Sequence, residues 1–201
     1  MLFDLSEEEV LNLQSLPSPP PFLQNLCLCG RLEKLPEWIP KLKSMVRIDL
    51  YWSKLMKDPL KDLQALPNLM RLKLEDGYRG EQLHIEGGGF QKLKFLGLSY
   101  LGGLNRLIID EGALPLLETL LIEECPQLKE VPSGIHHLKS LKILEFYEMP
   151  TEFVLSLQPD EGPDFGKVKH IPSVSFWYGI HGINYKSYKL GDSELLKRLQ
   201  R

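Results

Sequence analysis

Aliphatic residues return along most of this chain in one phrase, Leu-x-x-Leu-x-Leu, at a fixed distance. Copies open at Leu69, Leu93, Leu117 and Leu141, each 24 residues after the last, and Met45 opens another copy 24 residues before Leu69. Leu23 opens one more, 22 residues earlier still. A second series keeps the same period: Leu42, Leu66, Phe90, Leu114 and Leu138 each stand three residues ahead of a copy. Apolar residues two apart mark a strand with one buried face. Each copy therefore predicts a short strand, followed by an irregular return. Leu35-Pro36 and Val131-Pro132 begin such returns, and Ile39 and Ile135 predict a 3₁₀ or helical turn before the next strand.

One such turn cannot bury its own apolar side, so successive turns must stack into a continuous core. The pattern is that of an α/β leucine-rich-repeat solenoid, a horseshoe with a parallel β-sheet on its concave side. Its convex side would be irregular, 3₁₀ or helical. Six repeats are expected over residues 23–150. Residues 1–22 read as an N-terminal helix and proline-rich lead-in: Ser6 and Glu9 form a capping box for a helix over 6–14, which Pro17, Pro19, Pro20 and Pro21 end. Residues 151–201 read as a C-terminal loop and capping segment. Within it 156–169 is expected to be a surface loop, alternation from Val174 a last extended segment, and Leu195, Leu196 and Leu199 a final helix capped by Asp192 or Ser193. Asp58-Pro59 should cap a helical turn through Leu60 and Leu63.

Strand alternation also says which residues leave the core. The positions between the leucines line the concave sheet, and there the chain offers Arg47, Asp49, Tyr51, Trp52, Arg71, Lys73, Glu75, Phe95, Tyr100, Glu123, Glu145 and Tyr147 as a protein-binding face. The charges are graded. Cations occupy the second and third copies, whereas Glu123, Glu124, Glu145 and Glu148 occupy the fifth and sixth.

Composition narrows the function. A net charge of −3 gives no basic field for nucleic acid, and no 18-residue apolar run offers a membrane span. Met1-Leu2-Phe3-Asp4 leads into Glu7-Glu8-Glu9, unlike a secretory signal. Cys27, Cys29 and Cys125 cannot all pair, and no Asn-x-Ser/Thr acceptor occurs, so the expectation is reducing cytosol. Gly87-Gly88-Gly89 lacks the Lys-Ser/Thr of a phosphate loop, and Asp164-Phe165-Gly166 has no kinase catalytic loop before it. His136-His137 has no further ligands at metal spacing. The chain is not expected to be an enzyme or to hold a catalytic, cofactor-binding or metal site.

Several runs resemble a particular kind of repeat. Gly30-Arg31-Leu32-Glu33-Lys34-Leu35-Pro36-Glu37-Trp38-Ile39, Trp52-Ser53-Lys54-Leu55 with Asp58-Pro59-Leu60, and Gly88-Gly89-Phe90-Gln91-Lys92-Leu93 are similar to the C-terminal repeats of plant intracellular NLR disease-resistance proteins of the coiled-coil type. So are Asp110-Glu111-Gly112-Ala113-Leu114-Pro115, Glu124-Cys125-Pro126 and His170-Ile171-Pro172-x-Val174. The resemblance implies recognition of a pathogen effector or of a guarded host protein, and restraint of the nucleotide-binding module of the same receptor, in the cytoplasm or at the inner face of the plasma membrane. That family carries a coiled coil and a nucleotide-binding module ahead of its repeats; no Gly-x-x-x-x-Gly-Lys-Ser/Thr is present here, so the expectation is a fragment, a truncated product or a separated recognition half. The alternative is a stand-alone intracellular repeat adaptor, scaffold or decoy for protein–protein interaction. A ubiquitin-ligase substrate receptor would add an adaptor-binding helical module, and none is visible.

Overall fold

Equivalent residues of successive repeats lie side by side because each 24-residue turn brings the chain back one strand spacing along. The computed structural model describes residues 10–13, 20–159, 162–181 and 184–200. Its strands and α-helices, in chain order, are β1 (Asn25–Cys29), β2 (Arg47–Tyr51), α1 (Leu60–Leu63), β3 (Arg71–Glu75), β4 (Gln82–Ile85), β5 (Phe95–Ser99), β6 (Arg106–Ile109), β7 (Thr119–Glu123), β8 (Ile143–Tyr147), α2 (Thr151–Ser156), α3 (Phe165–Val168), β9 (Ser173–His181), β10 (Asn184–Lys189) and α4 (Ser193–Leu199). Short 3₁₀ turns at Ile39–Lys41 and Ile135–His137 complete the set.

The main sheet runs β1-β2-β3-β5-β7-β8-β9-β10. Its first seven strands are parallel, and β10 returns antiparallel on β9. The register is that of the repeat: Leu72 faces Leu96, Leu96 faces Leu120, and Leu120 faces Leu144. These leucines, with Leu69, Leu93 and Leu117, have no solvent exposure. They stack into one core along the solenoid axis, each repeat burying its neighbour's apolar side.

Past β2, β3, β5, β7 and β8 the backbone turns through a left-handed residue. Trp52, Asp76, Tyr100, Glu124 and Glu148 have φ between 45° and 58°. Each still donates its N–H to the next repeat, as Tyr100 does to Glu123 O at 2.9 Å and Glu124 to Tyr147 O at 3.0 Å. Continued hydrogen bonding offsets a conformation that costs an ordinary residue about 1 kcal/mol or more.

On the returning side, Asp58 joins consecutive repeats. Its Oδ1 accepts from Leu60 N at 2.8 Å, capping α1, and its Oδ2 accepts from His84 N at 3.0 Å. The anticipated irregular returns contain a second sheet, β4 paired parallel with β6 through Leu83↔Leu107 and Ile85↔Ile109. Residue Ser133 extends it by a bridge to Ile108.

Three expectations need correction. Of the helix over 6–14, residues 6–9 and 14 lie outside the described residues, as do Pro17 and Pro19. Residues 10–13 are not helical: Val10 bridges to Arg31, Leu11 N donates to Arg31 O at 2.8 Å, and Trp38 Nε1 donates to Leu13 O at 3.2 Å. Pairing with the neighbouring return satisfies more main-chain groups here than a lone helical turn would. The surface loop placed at 156–169 contains α3, and its Gln158 and Asp164 are buried. Gln158 is sunk because both ends of its amide are used, Nε2 on Val154 O at 2.9 Å and Oε1 on Gly191 N at 3.0 Å. Finally, the extended segment expected from Val174 is present as β9 but is not the last one, because β10 follows and pairs back on it as a hairpin. Phe176 stacks on Phe146 at 5.6 Å, and Phe153 meets the same ring edge-on at 4.9 Å. Asp192, rather than Ser193, caps α4, accepting from Glu194 N at 2.9 Å. Among the described residues no helix is long and apolar enough to cross a membrane.

Candidate protein-interaction face

Parallel, in-register strands turn the non-leucine positions into three columns across the concave face. The first runs Asn25, Arg47, Arg71, Phe95, Thr119, Ile143 and Ser173. The second runs Cys27, Asp49, Lys73, Gly97, Leu121, Glu145 and Ser175. In the third stand Cys29, Tyr51, Glu75, Ser99, Glu123, Tyr147 and Trp177. Trp52 and Tyr100 belong to the left-handed turn just beyond. The twelve residues singled out from the sequence thus fall on these columns or on that turn.

The N-terminal half of the face is already neutralised from within. Asp49 is only 1% exposed, and Arg47 bonds to it through Nε at 2.6 Å. Arg71 Nε stands 3.4 Å from Asp49 Oδ1, an ion pair without hydrogen-bond alignment, and its guanidinium lies 4.0 Å over the Phe95 ring. Lys73 pairs with Glu75, and its ammonium sits 5.3 Å over Tyr51. The hydrogen bond to Asp49 raises the Arg47 guanidinium further above its ordinary range. Buried charges persist where pairing compensates lost hydration, and two guanidinium groups do so for Asp49. At the centre Gly97 lets neighbouring side chains close over the strand; a Cβ there would meet the Phe95 ring at 3.0 Å and the Lys73 side chain at 3.3 Å.

The C-terminal half differs. Glu123, Glu124, Glu145 and Glu148 are half-buried, and none has an ion-pair partner among the described residues. Glu148 instead accepts from Gly179 N at 2.6 Å. Burial first, then Glu123 and Glu148, pushes the Glu124 carboxyl above its ordinary range, while a Tyr100 hydrogen bond pulls the other way. Burial and these carboxylates push the phenols of Tyr100 and Tyr147 up to about 12.

Two aromatic members of this half escaped the sequence reading. Trp177 stacks on Tyr147 with centroids 5.4 Å apart and planes 3° from parallel, and Tyr185 meets Tyr147 edge-on at 5.8 Å. Alternation places Trp177 opposite the buried Phe176 and Tyr178, but it lies 30 residues beyond Tyr147, out of the 24-residue step. Cys27 and Cys29 share the face as their spacing required. Burial and Cys29 push the Cys27 thiol up to about 11, away from the thiolate a metal or redox centre needs. No group of three or more metal-binding side chains occurs among the described residues.

Comparison with known proteins agrees with this architecture. The sequence profile of the leucine-rich repeat region family matches residues 2–152. Disease resistance protein RPM1 of Arabidopsis thaliana is 30% identical over 177 residues, 88% of this chain. From the same plant, probable disease resistance RPP8-like protein 4 is 36% identical over 155 residues and disease resistance protein RPP8 is 34% identical over 155, each covering 77% of the chain. The chain spans only 19% of the first relative's length and 17% of each of the other two. A repeat solenoid of this kind is a scaffold for protein interaction, and the chain belongs to the leucine-rich repeat region family, where it matches the repeat portion of plant disease-resistance proteins.

Proposed function

We propose that this chain is the recognition and autoinhibitory repeat region of a plant innate-immune receptor. It binds a pathogen effector, or the host protein that the effector modifies, across the concave face. The nucleotide-binding module of the same receptor competes for that face or its neighbourhood in the resting state. Effector contact then shifts the balance between off and on states by its difference in affinity for the two. The reading places the chain in the cytosol, with access to the inner face of the plasma membrane. One observation carries it: similarity to disease-resistance proteins extends over 77–88% of the chain, across the repeats that build the face.

The test joins size and surface. An antibody against 170–178 should detect, in source tissue, a polypeptide about five times this chain's mass, the ratio implied by its 17–19% share of its relatives. A band at 23 kDa alone would select a stand-alone adaptor instead. In the larger polypeptide, Leu121→Arg places a bulky charge at the middle of the face. It should abolish challenge-dependent cell death in leaves or release cell death without challenge. If both behaviours stay as in the wild type, the concave face is not the contact surface.

A further inference from the structure

The columns are balanced at one end of the face and unbalanced at the other. Arg47 and Arg71 share Asp49, and Lys73 has Glu75, so the cations of the N-terminal half are satisfied within the chain. The carboxylates of the C-terminal half have no such partners among the described residues. A cleft of about 560 Å³ opens there between Tyr100 and Tyr185, with Glu124 and Glu148 on its walls. The stacked Tyr147–Trp177 pair borders it, because Tyr147 also touches Tyr185.

We propose that this cleft receives a cationic side chain, lysine or arginine, carried by an exposed segment of a protein partner. The inference rests on the reading that the concave face binds protein and adds the chemistry of what is bound. Aromatic faces attract cations through the negative side of the ring quadrupole, most strongly where water is displaced. The half-buried carboxylates repel one another until a positive group arrives. A neutral or acidic partner residue would leave that repulsion in place, so the cleft selects by charge as well as by shape.

The test titrates the ¹⁵N-labelled chain with tetra-arginine and with tetra-citrulline, its neutral near-isostere, following the indole N–H of Trp177. Tetra-arginine should shift that resonance saturably and tetra-citrulline should not. In Glu123→Gln/Glu124→Gln the dissociation constant should rise about tenfold, and in Tyr185→Ala about fivefold. The exposed pair Glu33→Gln/Glu37→Gln, at the opposite end, should leave it unchanged. Equal response to both peptides, indifference to the cleft variants, or an equal loss in the distant pair would overturn the proposal. The two readings fail separately in leaves. If Leu121→Arg alters the challenge response and Glu123→Gln/Glu124→Gln does not, the face binds but the cleft does not read a cation; if Leu121→Arg is also silent, the face itself is excluded.

Discussion

Gly134 lies so close to Ile109 that a Cβ built on it would stand 1.9 Å from the Ile109 carbonyl oxygen, at a φ of 79°. The approach exists because Ser133 joins the edge of β6, donating to Leu107 O and accepting from Ile109 N, both at 3.0 Å. Gly112 has nearly the same φ, 80°, but nothing lies within 4 Å of its Cβ position. The pair separates strain from collision. Gly112→Ala should cost about 1 kcal/mol from the left-handed backbone alone. Gly134→Ala should cost about 3 kcal/mol, because a backbone atom must also move. Urea midpoints of the two variants, with unchanged slope, measure the difference.

Asp58 gives a second separable case. Replacement by Asn keeps one oxygen to cap α1 but turns an amide donor toward the His84 N–H. Replacement by Ala removes both acceptors. The Asn variant should lose about 1 kcal/mol and the Ala variant about 2–3 kcal/mol. Amide hydrogen exchange should quicken at His84 in both variants and at Leu60 only in the Ala variant.

The acidic half of the face predicts a pH dependence of definite sign. Glu124 titrates above its ordinary range in the folded chain. A carboxyl raised on folding stabilises the fold while protonated, and that contribution is lost as pH rises from the unfolded value through the folded one. Glu124→Gln should therefore melt above the wild type at pH 7, and the difference should vanish below about pH 4. A gap that widened on acidification would contradict an upward shift of Glu124 by burial and the neighbouring carboxylates.

The concave strands and their register were legible because a 24-residue step repeated without drift from Met45 to Leu141. What the sequence hid was of three physical kinds. The pair β4–β6 rests on only two buried apolar residues per strand, Leu83 with Ile85 and Leu107 with Ile109, too few to outweigh a loop reading. Trp177 joined the face unannounced because α2 and α3 lengthen the last connection and break the phase. Neutralisation of the basic half depended on side-chain reach: columns put Asp49 near two arginines, but only in the folded chain is it seen to be 1% exposed and shared between them. The sequence therefore identified who stands on the face but not who is already partnered, and the unpartnered end carries the chemistry proposed above.

The in-register columns also bear on how such a face can be inherited. Neighbouring rungs are about 4.8 Å apart, and the leucines that hold them lie on the other side of the sheet. Duplication or loss of one whole 24-residue unit would preserve the packing of every leucine on its neighbour. It would also lengthen or shorten the face by one rung and move the border between its balanced and unbalanced ends. Exchange of units can thus redraw the charge pattern offered to a partner without testing the core again.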